Sequence, residues 1–375
     1  MEAFNIIEEN GITNNAVIKV VGVGGGGGNM LNHMIEKGVN NIELICANTD
    51  AQALQSNKAP IKIQLGKELT KGLGAGMKPE VGKEAAEESY DDIKRALDGA
   101  DLVFVSAGMG GGTGTGAASV IAKIAKEIGA LTIGVVTKPF RREGAKRKKL
   151  AEIGFNELKN ECDSIVTIIN QKLLSIIDRK ASIKDAYKMV DDVLYQAVTG
   201  ISGVIMTNSE INVDFADLQT VMSYKGMALM GIGHKVGENS AEEALKEAIE
   251  SPLLDDTDIA KAKGLLIHWT KNSNYPLVDL DEALESVLGE LMDDEDVTII
   301  EGQYDDDSLE DNEIKVTIVV TGFEEEKKAV NNKTEKTSMP KVNMNNIRKI
   351  VGDNDYIEVG GEELDTPTWL RNSRD

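Results

Sequence analysis

The sequence predicts an α/β fold: a Rossmann-like parallel sheet with helices on both faces, then a long helix, a second α+β domain and a disordered C-terminal tail. Three observations predict it. Short apolar runs alternate with segments whose apolar residues recur at helical spacing, the order that βαβ units require. Two of those runs, 16–21 (AVIKVV) and 101–105 (DLVFV), lead directly into glycine-rich loops, 22–29 (GVGGGGGN) and 106–117 (SAGMGGGTGTGA). An apolar stripe at helical spacing then runs from Ile183 through Val190, Leu194, Val198 and Ile201 to Ile205, roughly six turns and on the order of 35 Å.

In chain order, residues 1–15 are mixed and polar and read as a loose arm. The run at 16–21 is a first strand, and a helix is expected from about Met30. Residues 41–47 are a second strand ending at Asn48, and 61–65 a short one before a glycine loop at 72–76. One helix is expected from Val81 to Leu97. Then come the strand at 101–105, a helix from Ser119, and strands at 131–136 and 165–169. In such sheets ligands sit beyond the carboxyl ends of the strands, where each glycine loop falls. Loop, strand and helix together offer free backbone N–H groups and a positive helix end to an anion, and glycine lets the backbone approach a phosphate closely. Thr113 and Thr115 add hydroxyl donors.

Ser182 and Asp185 form a capping box for the long helix, which reads as a rod with a domain on each side. Beyond it, strands are expected at 227–232 and 264–270, helices at 241–249 and 281–292, and a closing hairpin between 297–300 and 314–320. The acidic loop around Asp305, Asp306 and Asp307 reads as solvated surface, its spacing unlike an EF-hand. From 324 to about 355 the chain is rich in Lys, Glu and Asn and reads as a disordered linker. Leu364 to Arg371 (LDTPTWLR) places an apolar anchor beyond that tether, the pattern of a recognition peptide. The boundaries are therefore an arm at 1–15, a nucleotide-binding domain at 16–181, the central helix at 182–206, a second domain at 207–323, a linker at 324–358 and a terminal peptide at 359–375.

Composition removes several classes of function. A net charge of −22 opposes a phosphate backbone, so nucleic acid is a poor partner. Cys46 and Cys162 are too far apart for a zinc ribbon and read as core thiols. His33, His234 and His268 are scattered and suggest no metal cluster. No apolar run is long enough to span a membrane, so a cytoplasmic protein without direct membrane insertion is expected. The absence of G-x-x-x-x-G-K-S/T excludes a P-loop. Gly22, Gly24 and Gly27 do match G-x-G-x-x-G, with Asp50 where a ribose-binding acid falls. This keeps a nicotinamide-type oxidoreductase as the alternative. That fingerprint gives no role to the second glycine loop, whereas two loops suit one nucleoside triphosphate held from two sides.

The loop at 106–117 resembles the signature loop of the tubulin/FtsZ family, in its FtsZ form. So do 22–29, 48–52 (NTDAQ), 70–76 (TKGLGAG), 137–140 (TKPF) and 212–217 (NVDFAD), in the same order. The resemblance implies a GTPase that polymerises head to tail into filaments forming the cytokinetic ring at the bacterial division site, in the cytoplasm, with GTP as substrate and Mg²⁺ as its counter-ion. It implies nucleotide contacts from Gly25, Gly26, Gly27, Gly28, Asn29, Ala75, Gly111, Gly112, Thr113, Gly114, Thr115, Glu143, Arg147, Asn170 and Asp192. Asp192 is matched to the base-contacting carboxylate, which can accept the N1 and N2 hydrogens of guanine but finds no such pair on adenine. Asn212, Asp214 and Asp217 belong by resemblance to a catalytic loop that enters the pocket of the next subunit. The terminal peptide resembles one that binds membrane-tethering and regulatory division proteins. Ile169 and Gln171 stand where the family often has proline and aspartate, and Arg141 and Arg142 receive no role.

Overall fold

A computed structural model of the chain describes residues 16–178, 180–206, 214–224, 227–254 and 259–323. The expected arm, the linker, the terminal peptide and Asn212 lie outside the described residues.

The first half alternates as expected: β1 (Ile18–Val23), α1 (Gly24–Glu36), β2 (Glu43–Asn48), α2 (Ala51–Ser56), β3 (Ile61–Gln64), α3 (Lys67–Thr70), α4 (Pro79–Glu88), α5 (Tyr90–Leu97), β4 (Leu102–Gly108), α6 (Thr113–Glu127), β5 (Leu131–Lys138), α7 (Ala145–Glu161), β6 (Ser164–Ile169) and α8 (Asn170–Leu173). The strands are parallel throughout, in the order β3-β2-β1-β4-β5-β6. Both faces are covered, so β1 and β5 are buried along nearly their whole length rather than at alternate residues.

Two helix boundaries differ from the sequence expectation. α1 starts at Gly24, not near Met30, so Gly25 to Gly28 lie in its first turns. Glycine disfavours a helix by about 1 kcal/mol per residue, and close tertiary packing, described below, overrides that preference. The single helix expected from Val81 to Leu97 is two helices that meet at Ser89, whose hydroxyl accepts the Gly66 N–H (3.0 Å).

α9 (Ile183–Met206) is the expected long helix, 24 residues or about 36 Å. Its capping box is present: the Ser182 N–H donates to the Asp185 carboxylate (2.9 Å) and the Asp185 N–H to the Ser182 hydroxyl (3.2 Å). Val190, Val193, Leu194, Ala197, Val198, Ile201 and Val204 are buried, whereas Ile183 is exposed. This stripe joins one core with α1 and strands from both halves.

The second half holds α10 (Phe215–Met222), β7 (Met227–Val236), α11 (Ser240–Ile249), β8 (Gly264–Lys271), α12 (Leu277–Met292), β9 (Thr298–Asp305) and β10 (Glu313–Thr321). The expected hairpin between 297–300 and 314–320 does not form. β10 lies between β7 and β8, antiparallel to both, and β9 lies outside β8 and parallel to it. α12 makes the crossover that a parallel β8–β9 pair requires. β7 also pairs with β6 through Ile165–Met227 and Val166–Ala228, so one ten-stranded sheet runs through the described residues.

Candidate active site

The glycine loops gather at the carboxyl ends of β1, β3 and β4. Gly24 has φ +70°, and a Cβ there would stand 2.8 Å from the Gly114 nitrogen. The two glycine segments are thus in van der Waals contact and make one surface. Gly112 lies against Ala75, where an added Cβ would come within 2.8 Å of the alanine methyl, so the loop after β3 folds over the start of α6. That loop is tied down by Ala51 N–H to Gly72 O (3.0 Å) and Gly74 N–H to Thr49 O (3.3 Å).

α6 begins at Thr113 with no acidic residue in its first turn. The first N–H groups of a helix lack intrahelical acceptors and lie at the positive end of its dipole. Thr113, Gly114 and Thr115 supply those groups here. The hydroxyls of Thr113 and Thr49 are 2.6 Å apart. Thr115 is buried and its hydroxyl accepts the Gly110 N–H (2.9 Å), so it shapes the loop from within. Gly25, Gly26 and Asn29 lie on the open side of α1, and Gly111 has free space where a Cβ would stand. Gly27 and Gly28 turn inward: Gly27 packs on the Ser106 carbonyl, and Gly28 O accepts from Asn57 Nδ2 (2.7 Å).

A second group of residues converges from β5, β6 and α9. Glu143 Oε2 accepts from Arg147 (2.7 Å) and Glu143 Oε1 from the Phe140 N–H (2.9 Å). Phe140 meets Tyr187 of α9 edge to face, centroids 5.4 Å apart. Burial, then the nearby Glu143 charge, pushes the Tyr187 hydroxyl up. The Arg141 N–H donates to Gln171 Oε1 (3.1 Å), which ties the turn at 141–143 to α8. Asn170 opens α8 buried, with its Oδ1 lacking any hydrogen-bond partner. A buried amide oxygen without a partner is costly, and a base edge with N–H groups would satisfy it.

Asp192 is engaged elsewhere. Its carboxylate meets His33 Nε2 of α1 (3.1 Å) and Nζ of Lys37, which caps that helix (3.1 Å), and accepts from Gln196 Nε2 (2.7 Å). Burial alone raises the Asp192 carboxyl, and the His33 and Lys37 contacts outweigh it and hold it below its ordinary value. Asp191 has no ion-pair partner among the described residues, and burial pushes it up to about 6 against the opposing His33 charge. It stands four residues after Tyr187, on the same side of α9, whereas Asp192 is turned by about 100°. The sequence reading assigned no role to Tyr187 or to Asp191. The i, i+4 spacing from an aromatic residue was the available signal.

Asp214 and Asp217 are exposed at the start of α10, which packs on the second half beside β8 and β9. They follow α9, whose early turns stand by the base-end residues and whose Val204 packs on Gly302. The glycine loops and these carboxylates are therefore separated by the length of α9 and are not brought together within one chain.

The oxidoreductase alternative loses its ribose ligand. Asp50 caps α2, accepting from the N–H groups of Gln52 (2.9 Å) and Ala53 (3.0 Å). Cys46 and Cys162 are free and buried, and burial raises the Cys46 thiol to about 11. Among the described residues no three His, Cys, Asp or Glu side chains are grouped to hold a metal, and no helix is long and apolar enough to cross a membrane.

Comparison with known proteins agrees with this geometry. Residues 17–178 match the model of the Tubulin/FtsZ family GTPase domain, and residues 226–324 that of the FtsZ family C-terminal domain. The chain is similar to an FtsZ from M. jannaschii described as an empty dimer: 45% identity over 82% of this chain and 88% of that one, with a TM-score of 0.77. A variant of the same protein gives 45% identity, 82% and 92% coverage, and a TM-score of 0.78. A GTPγS-bound protofilament of CetZ2 from Haloferax volcanii shares the fold at 22% identity, 82% and 94% coverage, and a TM-score of 0.67. With its glycine cradle, its parallel sheet and both matched domains, the chain belongs to the tubulin/FtsZ family and is a GTPase.

Proposed function

We propose that this GTPase assembles head to tail into filaments, that each filament interface completes a hydrolytic site, and that the filaments form the cytokinetic ring at the division site. One observation carries the reading: the phosphate cradle and the carboxylates Asp214 and Asp217 lie apart by the length of α9. In the proposed site the triphosphate lies against Gly25, Gly26, Gly111, Gly112 and the first turn of α6. Guanine lies between Asn170 and α9, with Asp191 rather than Asp192 accepting its N1 and N2 hydrogens. Asp217, with Asp214 and Asn212, comes from the next subunit and orients and polarises the attacking water. Mg²⁺ neutralises the phosphates when bound. With no carboxylate cage among the described residues, it would be held by phosphate oxygens and water, as small hard cations commonly are.

Exposed apolar side chains support assembly. Leu73 (86% exposed), Leu69 and Met77 rim the nucleotide end, and Leu277 and Val278 (63% exposed) stand at the start of α12. Two different patches meeting make a heterologous contact, which repeats into a filament when it does not close. M. jannaschii FtsZ is described as a dimer and CetZ2 as a protofilament. Sedimentation with GTP, GDP, ATP or NAD, with released phosphate assayed alongside, tests the reading. Pelleting and phosphate release with GTP alone are expected, and equal behaviour with ATP would defeat it.

The peptide from Leu364 to Arg371 is proposed to bind membrane-tethering division proteins. Removing residue 363 onward should leave turnover and assembly unchanged while abolishing that binding. A lower melting midpoint for the truncated chain would show the peptide to be part of the fold instead.

A further inference from the structure

The chain is electrically lopsided. Residues 16–206 carry 25 Lys and Arg against 22 Asp and Glu, whereas residues 207–323 carry 7 against 27. The cations of the first half also concentrate. Arg141, Arg142, Lys146, Lys148 and Lys149 are all exposed, and none is paired with a carboxylate among the described residues. Three of them fall in the first five residues of α7, which has no acidic residue in its first turn. A helix start disfavours cations, by about 0.3–1 kcal/mol each. Arg147 spends its charge on Glu143, but its neighbours have no such partner among the described residues, so the sequence keeps a locally unfavourable arrangement that no described carboxylate relieves.

These cations sit just beyond the carboxyl end of β5, at the end of the sheet that holds the glycine loops. The acidic surface lies at the other end of α9. Asp279, Asp281, Glu282 and Glu285 are exposed on α12. Asp281 acts electrostatically on Glu301, and the adjacent Gly302 packs on Val204 near the carboxyl end of α9. Asp214 and Asp217 follow that same helix end.

We propose that the exposed cations at the start of α7 form a docking surface for the acidic half of a second copy of this chain, so that opposite charge orients head-to-tail addition. This rests on the filament reading above and adds its electrostatic cause. Complementary ends speed encounter and disfavour the inverted approach, in which acid meets acid, and both effects are screened by salt.

The test uses the full chain with GTP and Mg²⁺, compared by sedimentation and light scattering at about 0.05 M and about 0.5 M salt. Wild type should assemble with a critical concentration that rises with salt. Arg142→Glu with Lys146→Glu and Lys149→Glu should raise it about tenfold at low salt and little at high salt, and so should Glu282→Lys with Glu285→Lys. A chain carrying both sets has complementary ends again and should recover most of the loss. Should the triple reversal fail to fold, judged by circular dichroism, Lys146→Gln with Lys149→Gln should raise the value about threefold. Salt-independent assembly, or a combined chain no better than either parent, would overturn the proposal while leaving the filament reading intact. So would a GTP affinity that falls in step with assembly, or GTP-independent capture of wild type by anionic vesicles that the reversal abolishes. Wild type that never assembles would defeat both.

Discussion

The two ends of α9 divide the work of the molecule differently. At the phosphate cradle almost nothing is done by charged side chains. Backbone N–H groups, glycines and a few hydroxyls make the cradle, and its shape comes from two chain segments in direct contact. At the far end the backbone offers no cradle, but Asp214 and Asp217 are exposed at the head of α10. On the proposed reading, binding is a property of shape, built before any ligand arrives, and hydrolysis a property of two charges that a single chain does not deliver to its own phosphates. Substitutions at the two ends should therefore fail in different ways.

The largest effect is expected at the charge end. Asp217→Ala should bind GTP as wild type does and lose turnover by about 10²–10⁴-fold, the range for a group acting on the attacking water's proton. Mixing it with a chain whose cradle is spoiled but whose Asp217 is sound should recover part of the activity. Turnover per subunit that stays constant on dilution, with no recovery in the mixture, would show the site to be complete within one chain.

Gly112→Val is that cradle variant. Its Cβ would meet the Ala75 methyl at 2.8 Å, and the Lys78 nitrogen stands 3.1 Å away, so the loop must shift. Overpacking of this kind costs about 1–3 kcal/mol, which corresponds to roughly a tenfold to hundredfold rise in the GTP Kd. The defect should appear in binding by titration and not in turnover at saturation once partnered. A normal Kd with lost turnover would place the phosphates elsewhere.

A smaller contrast lies within the base site, between adjacent carboxylates. Asp191→Asn removes the proposed acceptor of the guanine hydrogens, and losing a charged hydrogen bond costs about 1.5–3 kcal/mol, again seen in Kd for GTP and not for ATP. Asp192→Asn instead loosens the contact of α9 with His33 and Lys37, and should lower the melting midpoint slightly while guanine preference is kept. The reverse pattern would return base recognition to Asp192.

That pair also shows what was legible in the sequence. Strand–loop–helix order gave the parallel half, because each loop is followed at once by the element it caps. The stripe on α9 was readable for the same reason: its period is local. The position of β10 between β7 and β8 was not, since pairing partners some 40 to 90 residues apart leave no local mark. The helical glycines of α1 were missed because propensity points away from a helix, and the neighbours that explain the choice, Ser106, Gly108 and Gly114 among them, lie far along the chain. Asp191 and Asp192 have the same residue type and one register step between them. Only the packing of α1 against α9 separates a carboxylate that contacts His33 and Lys37 from one with no ion-pair partner among the described residues.

The smallest expected effect is a pH dependence with opposite signs in free and bound protein. In the free protein burial raises the Asp191 carboxyl from 3.8 to about 6. The fold thus favours its protonated form, so the stability this group contributes is present in full below the unfolded value of 3.8 and is lost as pH rises through about 6. Guanine demands the other form, since a carboxylic acid can accept only part of the N1 and N2 pair. Taking the pH from about 7 to about 5 should therefore strengthen this group's part in the free fold while weakening GTP binding, by up to about tenfold per unit below the midpoint. The phosphates of GTP titrate nearby as well, so the measurement is the difference between wild type and Asp191→Asn, in Kd by titration and in melting midpoint without nucleotide. Wild type should show both slopes and the variant neither, beyond the common background of the phosphates. Identical pH profiles for the two proteins would mean that the Asp191 proton takes no part in recognition, and that the nucleotide end selects its base by shape alone.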